Sequence, residues 1–148
     1  MKFPCKVVPL PQPHAAFPEL SSKWAPVVNV RLSRHHSRPT RTIECWIDSG
    51  ADVCMFHAGI CHSLGIKRIQ DGIRADIHGI VGSLPVPTYF HRVKVLIFGE
   101  TFETMAGFSQ DLAVAGILGL RGFFENFVVT IDSSTDPPYC HIEKIHRA

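Results

Sequence analysis

Trp46-Ile47-Asp48-Ser49-Gly50-Ala51-Asp52-Val53 is the stretch on which the reading of this chain turns. Ahead of it, Ile43, Cys45 and Ile47 alternate with Glu44 and Trp46, the period of a half-buried strand. Asp48 therefore falls where a strand stops. An isolated carboxylate at the end of an apolar strand is costly to bury unless the site uses it. Gly50 permits a sharp turn or a close backbone approach that a side chain would block, and Ser49 offers a hydroxyl to brace that turn. Taken alone, Asp-Ser-Gly is equally the exit of an ordinary strand into a turn, and both readings stand at this point.

A second landmark lies further on: Val114-Ala115-Gly116-Ile117-Leu118-Gly119, followed by Leu120-Arg121-Gly122-Phe123-Phe124. Leu120, Phe123, Phe124 and Phe127 recur at i, i+3, i+4 and i+7, which predicts a short aromatic helix. With the two motifs in this order, and a Gly-bearing stretch between them, the chain resembles the retroviral-type aspartic proteases (retropepsins). It looks most like their stand-alone bacterial members. The resemblance runs from about Pro26 to Asp132 and is carried by both motifs together. It implies an all-β fold, mainly β with one or two short helices. The expected architecture is a closed, β-barrel-like half of an acid protease that assembles as a two-fold dimer.

Composition agrees with a globular enzyme. A chain of 148 residues suits one domain. With 45% hydrophobic and 19% charged residues it can fill a core. The net charge of +2 is small and the basic residues are scattered, which argues against a nucleic-acid partner. The one basic cluster, Arg31 to Arg41 with His35 and His36, reads as a solvated hairpin loop. No apolar run approaches bilayer-spanning length, and Pro4, Pro9, Pro11 and Pro13 interrupt any signal-peptide pattern. Five cysteines, an odd number without tight spacing, suit a reducing compartment. The expectation is a soluble, cytoplasmic protein with no membrane partner. Cys54, His57, Cys61 and His62 invite a zinc reading, but Cys-x2-His-x3-Cys-His lacks paired-ligand spacing and a second pair. No metal and no cofactor are expected.

Taken in order, residues 1–25 are Pro-rich and without helical periodicity, an extended arm ahead of a protease domain over 26–148. Either a disordered tail or an arm lying against a partner or a sheet edge fits that composition. Val28, Val30 and Leu32 share one face of a strand that turns back through Pro39 into Ile43 to Ile47. Ala58, Cys61 and Leu64 follow at helical spacing, with Gly65 as a stop. From Ala75 to Val95, alternation flanks a tip bearing Gly79 and Gly82, a β-hairpin. Strands are expected at Val93–Ile97 and Phe102–Phe108, with Phe98-Gly99-Glu100-Thr101 as a tight turn between them. Phe127 to Ile131 reads as a further strand. Tyr139 to Ile145 reads as a last one, whose Pro137-Pro138 lead-in suits a sheet edge.

The resemblance assigns roles within this pattern. Asp48 is the catalytic carboxylate, and because Asp-Ser-Gly occurs once, its partner is Asp48 of a second copy in a homodimer. Ser49, Gly50, Ile117, Leu118 and Gly119 support the active site, with Ser49 bracing the paired turns across the interface. Ala51 and Asp52 line the cleft floor, and His78, Gly79, Ile80, Val81 and Gly82 form a flap over an extended peptide or protein substrate. Ile47, Ile80, Val81, Leu84 and Ile117 suggest apolar side-chain pockets. Retroviral members carry Arg directly after the second motif's Gly, pairing with the Asp of the first motif. Here Leu120 takes that place and Arg121 follows. The rival on the same fold is a catalytically silent peptide-binding or dimerisation module.

Overall fold

The computed structural model describes residues 1–79 and 84–147. The strands are β1 (Lys2–Pro4), β2 (Lys6–Pro9), β3 (Ser22–Ala25), β4 (Val27–Ser33), β5 (Ile43–Ile47) and β6 (Met55–His57). They continue with β7 (Ile73–Arg74), β8 (Tyr89–Ile97), β9 (Glu100–Ser109), β10 (Gly116–Leu118), β11 (Phe127–Asp132) and β12 (Tyr139–Lys144). Two short 3-10 segments, Ala58–Leu64 and Ile69–Asp71, interrupt them. The chain divides into two compact units, residues 28–126 and residues 1–27 with 127–148.

In the larger unit, six strands close on themselves in the order β4-β5-β10-β6-β9-β8 and back to β4, with β7 attached to β8. This is the closed barrel of an all-β fold. Closure removes the free sheet edges that an open sheet of this composition would expose. Alternation decides which side chains fill it. In β4, Val28, Val30 and Leu32 are buried while Asn29 and Arg31 are exposed. In β8, His91, Val93, Val95 and Ile97 are buried while Arg92 and Lys94 face out. Each such Val or Leu contributes about 1.5–3 kcal/mol by leaving water. Phe56 and Phe108 pack at 6.0 Å between ring centroids, on the paired strands β6 and β9. β8 and β9 are joined by two residues, Phe98 (φ 52°) and Gly99 (φ 79°), with Ile97 opposite Glu100. The turn is thus tighter than the four-residue connection expected from sequence.

The segment after β6 repeats its buried residues Ala58, Cys61 and Leu64 every third position, the period of a 3-10 rather than an α-helix. Gly65 stops it in the left-handed region (φ 70°), where a side chain would be strained. The buried imidazole of His91 secures the second 3-10 segment, its Nε2 donating to the Ile69 carbonyl (2.8 Å).

One expected helix is absent. Residues 120–126 form a run of turns leading into β11. The Phe124 and Glu125 amides reach back five residues, to the Gly119 and Leu120 carbonyls (3.3 and 3.2 Å). Gly122 has φ 94°, which breaks a regular helix, and the Glu125 carboxylate accepts from its amide (2.9 Å). Phe123 is fully buried nonetheless, so the apolar spacing reports burial without the helix.

In the smaller unit, β12 lies between β1 and β11 in a three-stranded antiparallel sheet, and β2 and β3 form a hairpin. β12 is therefore a central strand, not the edge that Pro137-Pro138 suggested. Both prolines precede its ladder, so neither removes a bond from it.

Candidate functional site

β5 delivers Asp48 to the end of its ladder, and β10 holds it there. β10 runs parallel to β5, with Ile117 opposite Trp46 and Leu118 opposite Ile47. It is antiparallel to β6, with Ile117 opposite Met55. The Asp48 amide donates to the Leu118 carbonyl (3.0 Å), and the Ala51 amide donates to the Asp48 carbonyl (3.2 Å), closing the turn. The Asp48 carboxylate accepts from the Gly50 amide (2.8 Å). Asp48, Ser49 and Gly50 are all exposed. The result is a carboxylate on a fixed backbone whose open side faces solvent.

The second motif clasps this turn from the other side. The Leu120 and Arg121 amides donate to the Ala51 and Asp52 carbonyls (2.8 and 2.9 Å). Val53 and Arg121 form an isolated parallel bridge. Gly119 lies so close that a Cβ on it would collide with the backbone of Ala51 and Val53. Leu118 and Gly119 are buried and Ile117 is half-buried. The Arg121 guanidinium makes a 4.0 Å ion pair with Glu125, while its backbone serves Asp52. Arg121 thus meets Asp52 through the main chain, while its side chain pairs with Glu125.

Around this centre the buried thiols are held protonated. Burial drives Cys45 far above the ordinary thiol range, and it raises Cys54 as well. Cys61, also raised by burial, reaches about 11. His57 Nδ1 caps the 3-10 segment by accepting from the Gly59 amide (3.0 Å). Among the described residues, no three His, Cys, Asp or Glu gather into a metal-holding group.

Asp48, Ser49, Gly50, Ala51, Asp52, Ile117, Leu118 and Gly119 therefore meet in one clasped turn. His78 and Gly79, both exposed, belong to a separate hairpin. Its arms are tied by hydrogen bonds between Ile77 and Val86 in both directions (3.0 and 2.8 Å) and from the Ala75 amide to Thr88 (3.0 Å). Leu84 is 89% exposed. Ile80, Val81 and Gly82 lie outside the described residues. Gly116 was not singled out from sequence, yet a Cβ there would meet Cys45 Sγ at 2.5 Å and the Phe56 ring at 2.8 Å. Its position directly before Ile117 in the second motif was the available signal.

No family profile matches the sequence, and no curated protein sequence does. Solved structures do match. A retropepsin-like aspartic protease from Rickettsia conorii superposes with a TM-score of 0.56 at 16% identity, covering 78% of this chain and 80% of that one. The EIAV protease matches at TM-score 0.46 and 20% identity, over 64% of this chain and 81% of that one. The retroviral protease-like domain of Ddi1 from Leishmania major matches at 0.44 and 17%, over 64% and 72%. The chain has a retropepsin-like fold.

Proposed function

We propose that the protein is an aspartic endopeptidase whose active site forms between two copies of the chain. The observation that carries this reading is the exposed Asp48 carboxylate on a turn clasped by β10 and by the Leu120 and Arg121 amides. A functional carboxylate needs this combination of rigid backbone and open face. In the dimer, Asp48 of each copy faces the other across the two-fold axis. At a separation of ~3 Å two carboxyl groups cannot both ionise, so they share a proton. The ionised member takes a proton from water as it attacks the scissile carbonyl. The protonated member polarises that carbonyl and then protonates the leaving nitrogen.

The remaining roles follow from the same reading. Catalysis belongs to residues 26–148, with residues 1–25 as an arm. Ser49 braces the paired turns, and Gly50 admits the substrate backbone beside Ala51 and Asp52. The hairpin carrying His78, Gly79, Ile80, Val81 and Gly82 closes over an extended peptide bound as an added strand. No cofactor enters the chemistry. Among the described residues no helix is long and apolar enough to cross a membrane. With five unbridged cysteines, a reducing, cytoplasmic setting suits the chain.

The test is cleavage of a peptide library by the wild-type protein and by Asp48→Asn. The amide keeps the size and much of the hydrogen bonding but can neither activate water nor return a proton. Loss of general acid–base help costs ~10²–10⁴-fold for one group, and here one substitution removes both partners, so cleavage should fall below detection. Cleavage by Asp48→Asn at the wild-type rate would refute the mechanism. Peptide binding without cleavage by the wild type would favour the silent module.

A further inference from the structure

We propose that Cys5 and Cys140 form an oxidisable pair whose disulfide fastens the first strand to the last. Their sulfurs are 3.9 Å apart and both side chains are buried. The backbone already registers them: Phe3 lies opposite Cys140, Pro4 opposite Tyr139, and the Cys5 amide donates to the Pro138 carbonyl (2.8 Å). A disulfide requires the sulfurs at ~2.05 Å, so closure needs a change of rotamer and a small backbone shift. Cys5 has room for that shift because it falls between β1 and β2 and within neither. The other three cysteines, Cys45, Cys54 and Cys61, are buried in the larger unit.

The co-reactant is a small disulfide such as oxidised glutathione. β1 is only three residues long, so local opening exposes Cys5 without global unfolding. The Cys5 thiolate attacks one sulfur of the small disulfide, forming a mixed disulfide and expelling a thiolate. The Cys140 thiolate then attacks the Cys5 sulfur and expels the second thiolate. The two protons lost by the protein thiols end on the two expelled thiolates, and the protein is oxidised by two electrons as the small disulfide is reduced. Cys5 is the first nucleophile because Cys140 is the more deeply buried and lies in β12, the central strand of its sheet.

The experiment uses the full chain, equilibrated with mixtures of oxidised and reduced glutathione, quenched in acid and alkylated in denaturant. Oxidised protein should take three alkyl groups where reduced protein takes five. Tryptic digestion without reduction should release Phe3–Lys6 joined to Gly122–Lys144. A bridge closing so long a loop should raise the melting temperature by about 5–10 °C. Cys140→Ser should stop at a mixed disulfide between Cys5 and glutathione, Cys5→Ser should keep the Cys140 thiol free, and neither should show such a rise. Five alkylated thiols under fully oxidised glutathione, a bridge between Cys45 and Cys54, or a bridge only between chains would overturn the pairing. An intrachain Cys5–Cys140 bridge without a rise in melting temperature would overturn the fastening.

Discussion

Gly119 shows how one atom's worth of space holds the candidate site together. Its missing Cβ lets the backbone of the second motif lie against Ala51 and Val53, so that Leu120 and Arg121 can donate to the Asp turn. The obstacle to a side chain is backbone on both sides, which cannot rotate away. Gly119→Ala should therefore cost about 1–3 kcal/mol, the usual range for overpacking a tight interior. Denaturant unfolding checks this, and a variant as stable as wild type would mean that the clasp is loose. Gly65→Ala provides the contrast: nothing lies within 4 Å of a Cβ there, so only the backbone strain of its φ of 70° remains, about 1 kcal/mol. Buried thiols give a second residue-scale expectation. Burial raises Cys61 to about 11 and Cys140 to about 12 in the folded chain, against ~8.5 for an exposed thiol. The stability tied to the neutral thiols is fully present below the unfolded value. It drains away as pH rises from there towards the folded values, because only the unfolded chain ionises. Unfolding midpoints should fall between pH 8.5 and 10.5, and less steeply in Cys61→Ala; a slope untouched by that substitution would assign the loss to other groups. From sequence, Asp48 and Gly119 stood out through their motifs. Gly116 did not, because only the packed positions of Cys45 and Phe56 reveal what its side chain would strike.

Alternation made the strands legible and spacing misread the turn after β10. β4 and β5 follow their period-two pattern because a barrel wall has one buried and one solvated face. Leu120, Phe123, Phe124 and Phe127 carry a helical spacing, yet Gly122 in a conformation that L side chains rarely adopt ends any regular ladder. The pattern encodes which side chains are buried; the backbone route between them is set by the clasp with Ala51 and Asp52. The edge assignment of β12 failed for a related reason. Proline bars an edge or a centre only from within the ladder, and Pro137 and Pro138 stand outside it. Whether the hairpin of residues 75–88 acts on a substrate is an element-scale question. Its described arms are tied by few ladder bonds, those at Ala75, Ile77 and Val86, and sparse pairing favours opening. Hydrogen exchange at these three amides should be fast in the free protein and slow by tenfold or more with a peptide-like inhibitor bound. Equal protection in both states would reduce the hairpin to scaffold.

At the scale of the whole molecule, the count of motifs decides what must assemble. One chain holds one Asp-Ser-Gly, while the proposed chemistry needs two carboxyl groups sharing a proton. A two-fold pair supplies both from the same surface, so activity becomes a property of concentration. Well below the dimer dissociation constant the paired fraction is proportional to total protein, and specific activity should fall about tenfold for each tenfold dilution. Mixing sharpens the test, because Asp48→Asn chains keep the interface and lack the ionisable group. When equal amounts of wild-type and Asp48→Asn protein exchange freely, random pairing puts only half of the wild-type chains in wild-type pairs. Activity should then drop to roughly half that of the wild type alone, and an excess of mutant should suppress it further. An enzyme complete within one chain would ignore both the dilution and the added mutant. Sedimentation of the same mixtures separates the remaining case: dimers that persist while Asp48→Asn fails to suppress activity would place catalysis away from the two-fold axis.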